Sequence, residues 1–223
     1  VKPKNIFLIR HGQSIGNVDK SIYCAVPDYA VKLTDKGKEQ AREVGEFLKS
    51  GYNNFQFYVS SYHRTRQTFQ EIKNVFENNN INFSFYEDIR LREQEWSGNL
   101  RPEDIDFDKI QEERDKYGSF YYRFNGGEAC SSVYDRVSDF MNTLHRDFKK
   151  ENFPENVGIV THGMTMRVFI MRWFHFSVEE FELLKNPKNC GIFHLFLENN
   201  KYKIKGYLEK HDKPLHPYQL PIV

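Results

Sequence analysis

Three polar clusters hold the residues from which chemistry could be built, and each directly follows a short apolar run. Ile6–Ile9 leads into Arg10-His11-Gly12-Gln13-Ser14-Ile15-Gly16-Asn17. Phe55–Val59 leads into Ser60-Ser61-Tyr62-His63-Arg64-Thr65-Arg66-Gln67-Thr68, and Val157–Val160 into Thr161-His162-Gly163. Guanidinium groups bind phosphate oxygens in pairs and keep their charge. A glycine after a strand lets the backbone approach an anion, and a following helix start adds unpaired N–H groups. A neutral imidazole nitrogen is a competent nucleophile toward phosphorus. Two nearby arginines depress its pKa and favour that neutral form. A carboxylic acid is still needed to protonate a departing alkoxide.

These clusters cooperate only if the strands before them are neighbours. Continuous apolar runs mark strands buried on both faces, as in a parallel sheet, and ligands of such sheets bind beyond the carboxyl ends of the strands. The pattern predicts helices over Asp35–Ser50, with Ala41, Val44 and Leu48 inward and Thr34 as cap, over Arg64–Glu77, and over Ser131–Lys150. Gly163–Phe174 is apolar nearly all round and reads as an interior helix, and Ser177 caps a further short one. Phe83–Tyr86, Phe193–Leu197 and Tyr202–Leu208 read as further strands, the last alternating as an edge strand does. Leu100–Asn125 lacks a clean period and reads as an excursion with one helix around Asp108–Tyr117, its Gln111–Lys116 face solvated. The tail from His211 reads as extended. Alternating strands and helices predict an α/β fold with a mostly parallel sheet, as one domain over residues 1–223.

Composition narrows the function. With 32 Lys and Arg against 31 Asp and Glu, the net charge is +1, which gives no general attraction to nucleic acid or anionic membrane. Cys24, Cys130 and Cys190 are odd in number and far apart, so neither a disulfide framework nor a zinc site is indicated. No apolar stretch is long enough to span a bilayer, and Val1–Asn5 is no signal peptide. A cytoplasmic location is the default expectation.

Leu8-Ile9-Arg10-His11-Gly12-Gln13-Ser14 through Asn17 resembles the signature of the histidine phosphatase superfamily, which includes the cofactor-dependent phosphoglycerate mutases. The resemblance continues through Leu33-Thr34 with Gly37, Gln40 and Ala41, and through Ser60-Ser61 with Arg64, Gln67 and Thr68. It goes on through Leu91-Arg92-Glu93, Gly126-Gly127-Glu128 and Thr161-His162-Gly163, in the family's order and spacing. It implies a three-layer α/β sandwich that uses neither metal nor organic cofactor. By the same resemblance, His11 accepts the phosphoryl group, and Arg10, Arg64 and His162 hold its oxygens. Asn17 adds a hydrogen bond, the Gly163 region a helix start, and Glu93 is the proton donor and acceptor. Glu95 and Glu128 compete for that last role. Arg66 is expected in solvent and His63 at the rim; a metal-dependent reading through His11, His63 and His162 lacks the usual Asp-rich ligands.

The departures from the mutase pattern favour hydrolysis. Gln94, not an arginine, follows Glu93; no adjacent arginine pair occurs between Asn99 and Gly126; and Ser97 shifts the family glycine by one. The expectation is a phosphatase acting on a small phosphorylated metabolite or a phosphoprotein. Interconversion of 3- and 2-phosphoglycerate is the alternative. Specificity is expected from Tyr23–Tyr29 and the Leu100–Asn125 excursion, with Arg114 and Arg123 as anion contacts. Homo-oligomerisation through the terminal strand pair stays open.

Overall fold

The computed structural model describes residues 2–96, 106–206 and 208–212. Six strands, β1 (Asn5–Arg10), β2 (Phe55–Val59), β3 (Phe83–Glu87), β4 (Asn156–Thr161), β5 (Ile192–Glu198) and β6 (Lys201–Lys205), form one sheet. Their order is β3-β2-β4-β1-β5-β6. The first four are mutually parallel, β5 is antiparallel to β1, and β6 to β5. The three apolar runs that precede the polar clusters are therefore the adjacent strands β2, β4 and β1.

Helices cover both faces. They are α1 (Ile15–Val18), α2 (Asp35–Gly51), α3 (His63–Asn78), α4 (Phe107–Tyr117), α5 (Cys130–Asp147), α6 (Gly163–Phe174) and α7 (Val178–Leu183). Along β1 the pleat sends Ile6 and Leu8 into a core with Val133, Val137 and Phe140 of α5 and Val168 of α6. Phe7 and Ile9 enter a second core with Val44 and Leu48 of α2 and Phe69 and Ile72 of α3. Two cores back to back on one sheet make the expected three-layer sandwich. At Gly158 of β4 a Cβ would lie 2.1 Å from the Phe57 ring, so only glycine lets the rings of Phe55 and Phe57 stack there, 5.2 Å apart.

Local chemistry sets the ends. Thr34 accepts from the Gly37 N–H and caps α2, and Ser177 with Glu180 closes a capping box on α7. Asn199 and Asn200, both at positive φ, make the two-residue turn that joins β5 to β6. Strand β6 stops at Lys205 rather than Leu208, because Gly206 takes a φ of 92° and turns the chain. The Ser97 spacing, the start of the Leu100–Asn125 excursion and most of the tail lie outside the described residues. Among the described residues, no helix is long and apolar enough to cross a membrane.

Candidate active site

The carboxyl ends of the three central strands meet through the backbone. His11 N–H donates to Thr161 O and Ser60 N–H to Val160 O, each at 3.0 Å. The His11 and His162 ring centres are 5.3 Å apart, and both side chains are buried. His11 Nδ1 lies 2.7 Å from Gly12 O. A carbonyl only accepts, so the proton sits on Nδ1 and the lone pair on Nε2. Gly12 earns its place differently from the expectation: a Cβ there would lie 2.3 Å from Gly37 O. The glycine lets the loop pass against the start of α2, while its N–H donates to Thr68 Oγ1 at 3.0 Å.

His162 Nε2 is 2.8 Å from Ser60 Oγ, which itself accepts from Tyr62 N–H. The Ser60 hydroxyl can donate to Nε2, and in that tautomer His162 carries its N–H at Nδ1. That Nδ1 is buried without a hydrogen-bond partner among the described residues, and so are Arg10 Nε and Arg64 Nε. Buried donors are normally paired, and three orphans around one histidine are what an anion site requires. Each guanidinium is anchored through an Nη group: Arg10 Nη1 donates to Pro187 O at 2.6 Å, and Arg64 Nη1 to Asp28 O at 2.7 Å and Asp28 Oδ1 at 2.8 Å. Tyr62 lies under the Arg64 guanidinium, 5.0 Å from ring centre to carbon. Arg66, two residues on, is exposed and pairs with Glu87.

Burial lowers the pKa of both histidines well below the usual histidine value. The charges of Arg64 and Arg10 add to this at His11, and those of Arg64, His11, Arg136 and Arg10 at His162. The arginines act as expected and come second, because loss of hydration is the larger penalty on a fully enclosed imidazolium.

Glu93 faces this group from the loop after β3. Its oxygens accept from the N–H groups of Met164 at 3.2 Å, Thr165 at 3.3 Å and Gln94 at 3.0 Å. The start of α6, whose first residue is Gly163, therefore holds the carboxylate of Glu93, a use the sequence reading assigned to phosphate. Below it, Arg136 donates to the carbonyls of Arg90, Arg92 and Glu93 and to both oxygens of Glu128. Glu128 also takes Arg92 and the Glu95 N–H. Burial works to raise the Glu128 pKa, but Arg136, the Glu95 N–H and the charge of Arg92 together outweigh it and the net shift is downward. Glu128 is thus occupied as a bracket.

A cavity of about 450 Å³ opens over Arg10, Asn17, Tyr23, Glu93 and Trp96 and reaches Gln111 and Arg114 of α4. The α4 face expected in solvent is in part a wall of this cavity. Arg114 Nε is another buried nitrogen without a partner among the described residues. Arg123 points elsewhere, to Gly127 O and Ser132. Asn17 Oδ1 accepts from Ser14 and from Asn189, which leaves its amide nitrogen as the donor. Glu95 is not among the residues lining this cavity. His63 lines a separate cleft with Tyr29 and Arg66, and no cluster of three His, Cys, Asp or Glu side chains suited to a metal occurs among the described residues. Asp28 escaped the sequence reading except as part of the Tyr23–Tyr29 stretch; nothing in its neighbours signals that it pairs with Arg64.

The profile of the histidine phosphatase superfamily, branch 1, matches residues 6–210. A phosphoglycerate mutase-like protein of Arabidopsis thaliana is 39% identical over 84% of the chain and 72% of its own length, and a second is 40% identical over 85% and 64%. A broad-range acid phosphatase of Saccharomyces cerevisiae is 28% identical over 94% and 90%. Among solved structures, a mycobacterial glucosyl-3-phosphoglycerate phosphatase superposes with a TM-score of 0.72 at 19% identity, over 92% of this chain and 99% of that one.

Proposed function

The chain belongs to the histidine phosphatase superfamily, and from that premise we propose that it hydrolyses phosphate monoesters through a phosphohistidine at His11. The observation that supports this most is the trio of buried nitrogens without a partner among the described residues, Arg10 Nε, Arg64 Nε and His162 Nδ1, beside an imidazole whose Nε2 carries the lone pair. The phosphoryl oxygens take those donors and the Asn17 amide. His11 Nε2 attacks phosphorus, the N–P bond forms, and the ester P–O bond breaks as Glu93 protonates the leaving oxygen. Two guanidinium groups offset the charge that builds on the equatorial oxygens. In the second half a water gives its proton to Glu93 and attacks phosphorus. The N–P bond breaks, and His11 returns to its neutral form.

Hydrolysis is favoured over phosphate return to a glycerate. Gln94 stands where a mutase places an arginine, and its amide is tied to Glu128 O at 3.0 Å and to Cys130 Sγ. It offers no charge to a substrate carboxylate. The substrate is read as a small phosphorylated compound whose remainder lies along Trp96 and Gln111 towards Arg114; a phosphorylated protein segment would have to enter the same 450 Å³ cavity. Steady-state phosphate release from p-nitrophenyl phosphate and from the two phosphoglycerates tests the reading. Phosphate release lost in His11→Ala supports it; fast interconversion of the phosphoglycerates with negligible free phosphate contradicts it.

A further inference from the structure

A second cavity, of about 900 Å³, lies at the other end of the sheet and shares no lining residue with the first. It is walled by the carboxyl-terminal turns of α5 and α6, by Lys2 ahead of β1, and by the β5–β6 turn. Six of its side chains are basic, Lys2, His145, Lys149, Arg172, His175 and Lys201, and none is acidic. Four of the six are Lys or Arg, and in a chain with 32 Lys and Arg against 31 Asp and Glu, composition alone does not give such a segregation.

Helix ends explain part of it, since a carboxyl terminus favours cations such as His145 and Arg172. Lys2 and Lys201 belong to other elements and are gathered there by the fold. Two acids on the same elements are already engaged: Asp147 by Lys150 and Tyr58, Glu198 by Lys203. Among the described residues Lys2, Lys149, Arg172 and Lys201 form no ion pair. Lys2 is held to Asn200 and Arg172 to Ser138. Burial and then the charges of Arg172, Lys149 and Lys2 lower the His145 pKa, which places three cations around one imidazole.

The rest of the wall is aromatic. Trp173 stacks on Phe169, meets Tyr202 edge-on at 5.3 Å and lies 5.6 Å from the His145 ring. Phe148 and Phe174 complete that side. An inorganic anion needs the cations and has no use for the rings. A lipid surface or a peptide would use a flat face or an open groove, whereas a concave volume of this size suits a single small ligand.

We propose that this cavity binds a nucleotide, its ring system against Trp173 and its neighbours and its phosphates on Lys2, Lys149, Arg172 and Lys201, apart from the hydrolytic site. The chain has two tryptophans, and Trp96 lies in the other cavity, so in Trp96→Phe the emission reports Trp173 alone. ADP titrated into that variant quenches it saturably, and the double reversal Lys149→Glu with Lys201→Glu, both exposed positions, weakens binding roughly tenfold or more. The same double variant in the wild-type background keeps its p-nitrophenyl phosphatase rate, which shows that it is folded. Pyrophosphate, which has the charge without the ring, binds roughly tenfold or more weakly than ADP. No saturable quench, equal binding of pyrophosphate and ADP, or indifference to the charge reversals each overturns the proposal. All three leave the proposed phosphatase reaction intact, because the readout is binding.

Discussion

Arginine does opposite work in two neighbouring regions of this protein. At the rim, Arg64 is buried and Arg10 half-buried; both are anchored at one end, yet each keeps a buried Nε without a partner among the described residues. A short way off, Arg136 spends its whole fork on three carbonyls and the Glu128 carboxylate. A guanidinium with donors left over costs folding energy and is ready for a ligand. One with every donor used fixes the backbone and is closed to ligands. The pairing state of a buried arginine thus separates the group that would bind phosphate from the group that holds the acid's loop.

Substitutions should split along the same line. The largest loss is expected for His11→Ala, which removes the nucleophile and lowers kcat by about 10⁴-fold or more; a smaller drop in phosphate release would mean that another group attacks. Arg10→Ala then lowers kcat by about 10²–10³-fold, as loss of a charged donor to the transition state does, with only a minor change in denaturation midpoint. Arg136→Met reverses that balance. It leaves the half-buried Glu128 with Arg92 as its remaining cation and three carbonyls without their donor, and costs about 3 kcal/mol of stability in denaturant titrations, with catalysis lost through the displaced Glu93. If Arg10→Ala destabilises as much as Arg136→Met, the contrast fails.

Acid sharpens it further. His11 and His162 have folded pKa values well below 6.5, so between those values and 6.5 the unfolded chain binds protons that the folded chain does not. Their contribution to stability is complete above about pH 6.5 and is lost as pH falls towards the folded values. The denaturation midpoint should drop between about pH 7.5 and about pH 5.5, while the acid limb of kcat/KM set by His11 lies below pH 6.5. An acid limb centred on the ordinary histidine value would show that the imidazole is not desolvated. The smallest effect is expected from Asp28→Asn, which keeps an oxygen on Arg64 but removes its charge. Stability falls by about 1–2 kcal/mol, the gap between a charged and a neutral hydrogen bond, and kcat/KM by roughly tenfold. Unchanged kinetics would mean that Arg64 does not need Asp28 to be held in place.

The central strands were legible because apolar runs without alternation bury both faces, and β1, β2 and β4 do so. Their order brought His11, Arg64 and His162 to one rim, as the clusters implied. Side-chain networks were less legible. Glu93, Glu95 and Glu128 look alike in a sequence; Arg136, on a helix that begins after all three, engages Glu128. Gly12 reads as a phosphate-loop glycine, yet its missing Cβ is demanded by Gly37. Asp28 joins Arg64 across 36 residues, and the basic cavity assembles from both ends of the chain. No local pattern encodes such pairings.

The most direct test of the account is to catch the intermediate. Protein quenched in alkali during turnover of p-nitrophenyl phosphate, then digested and mapped by mass spectrometry, should carry an acid-labile phosphate on the peptide containing His11, and none in His11→Ala. Phosphate found on His162 instead, or wild-type turnover with no phosphorylated histidine under any quench, would contradict it.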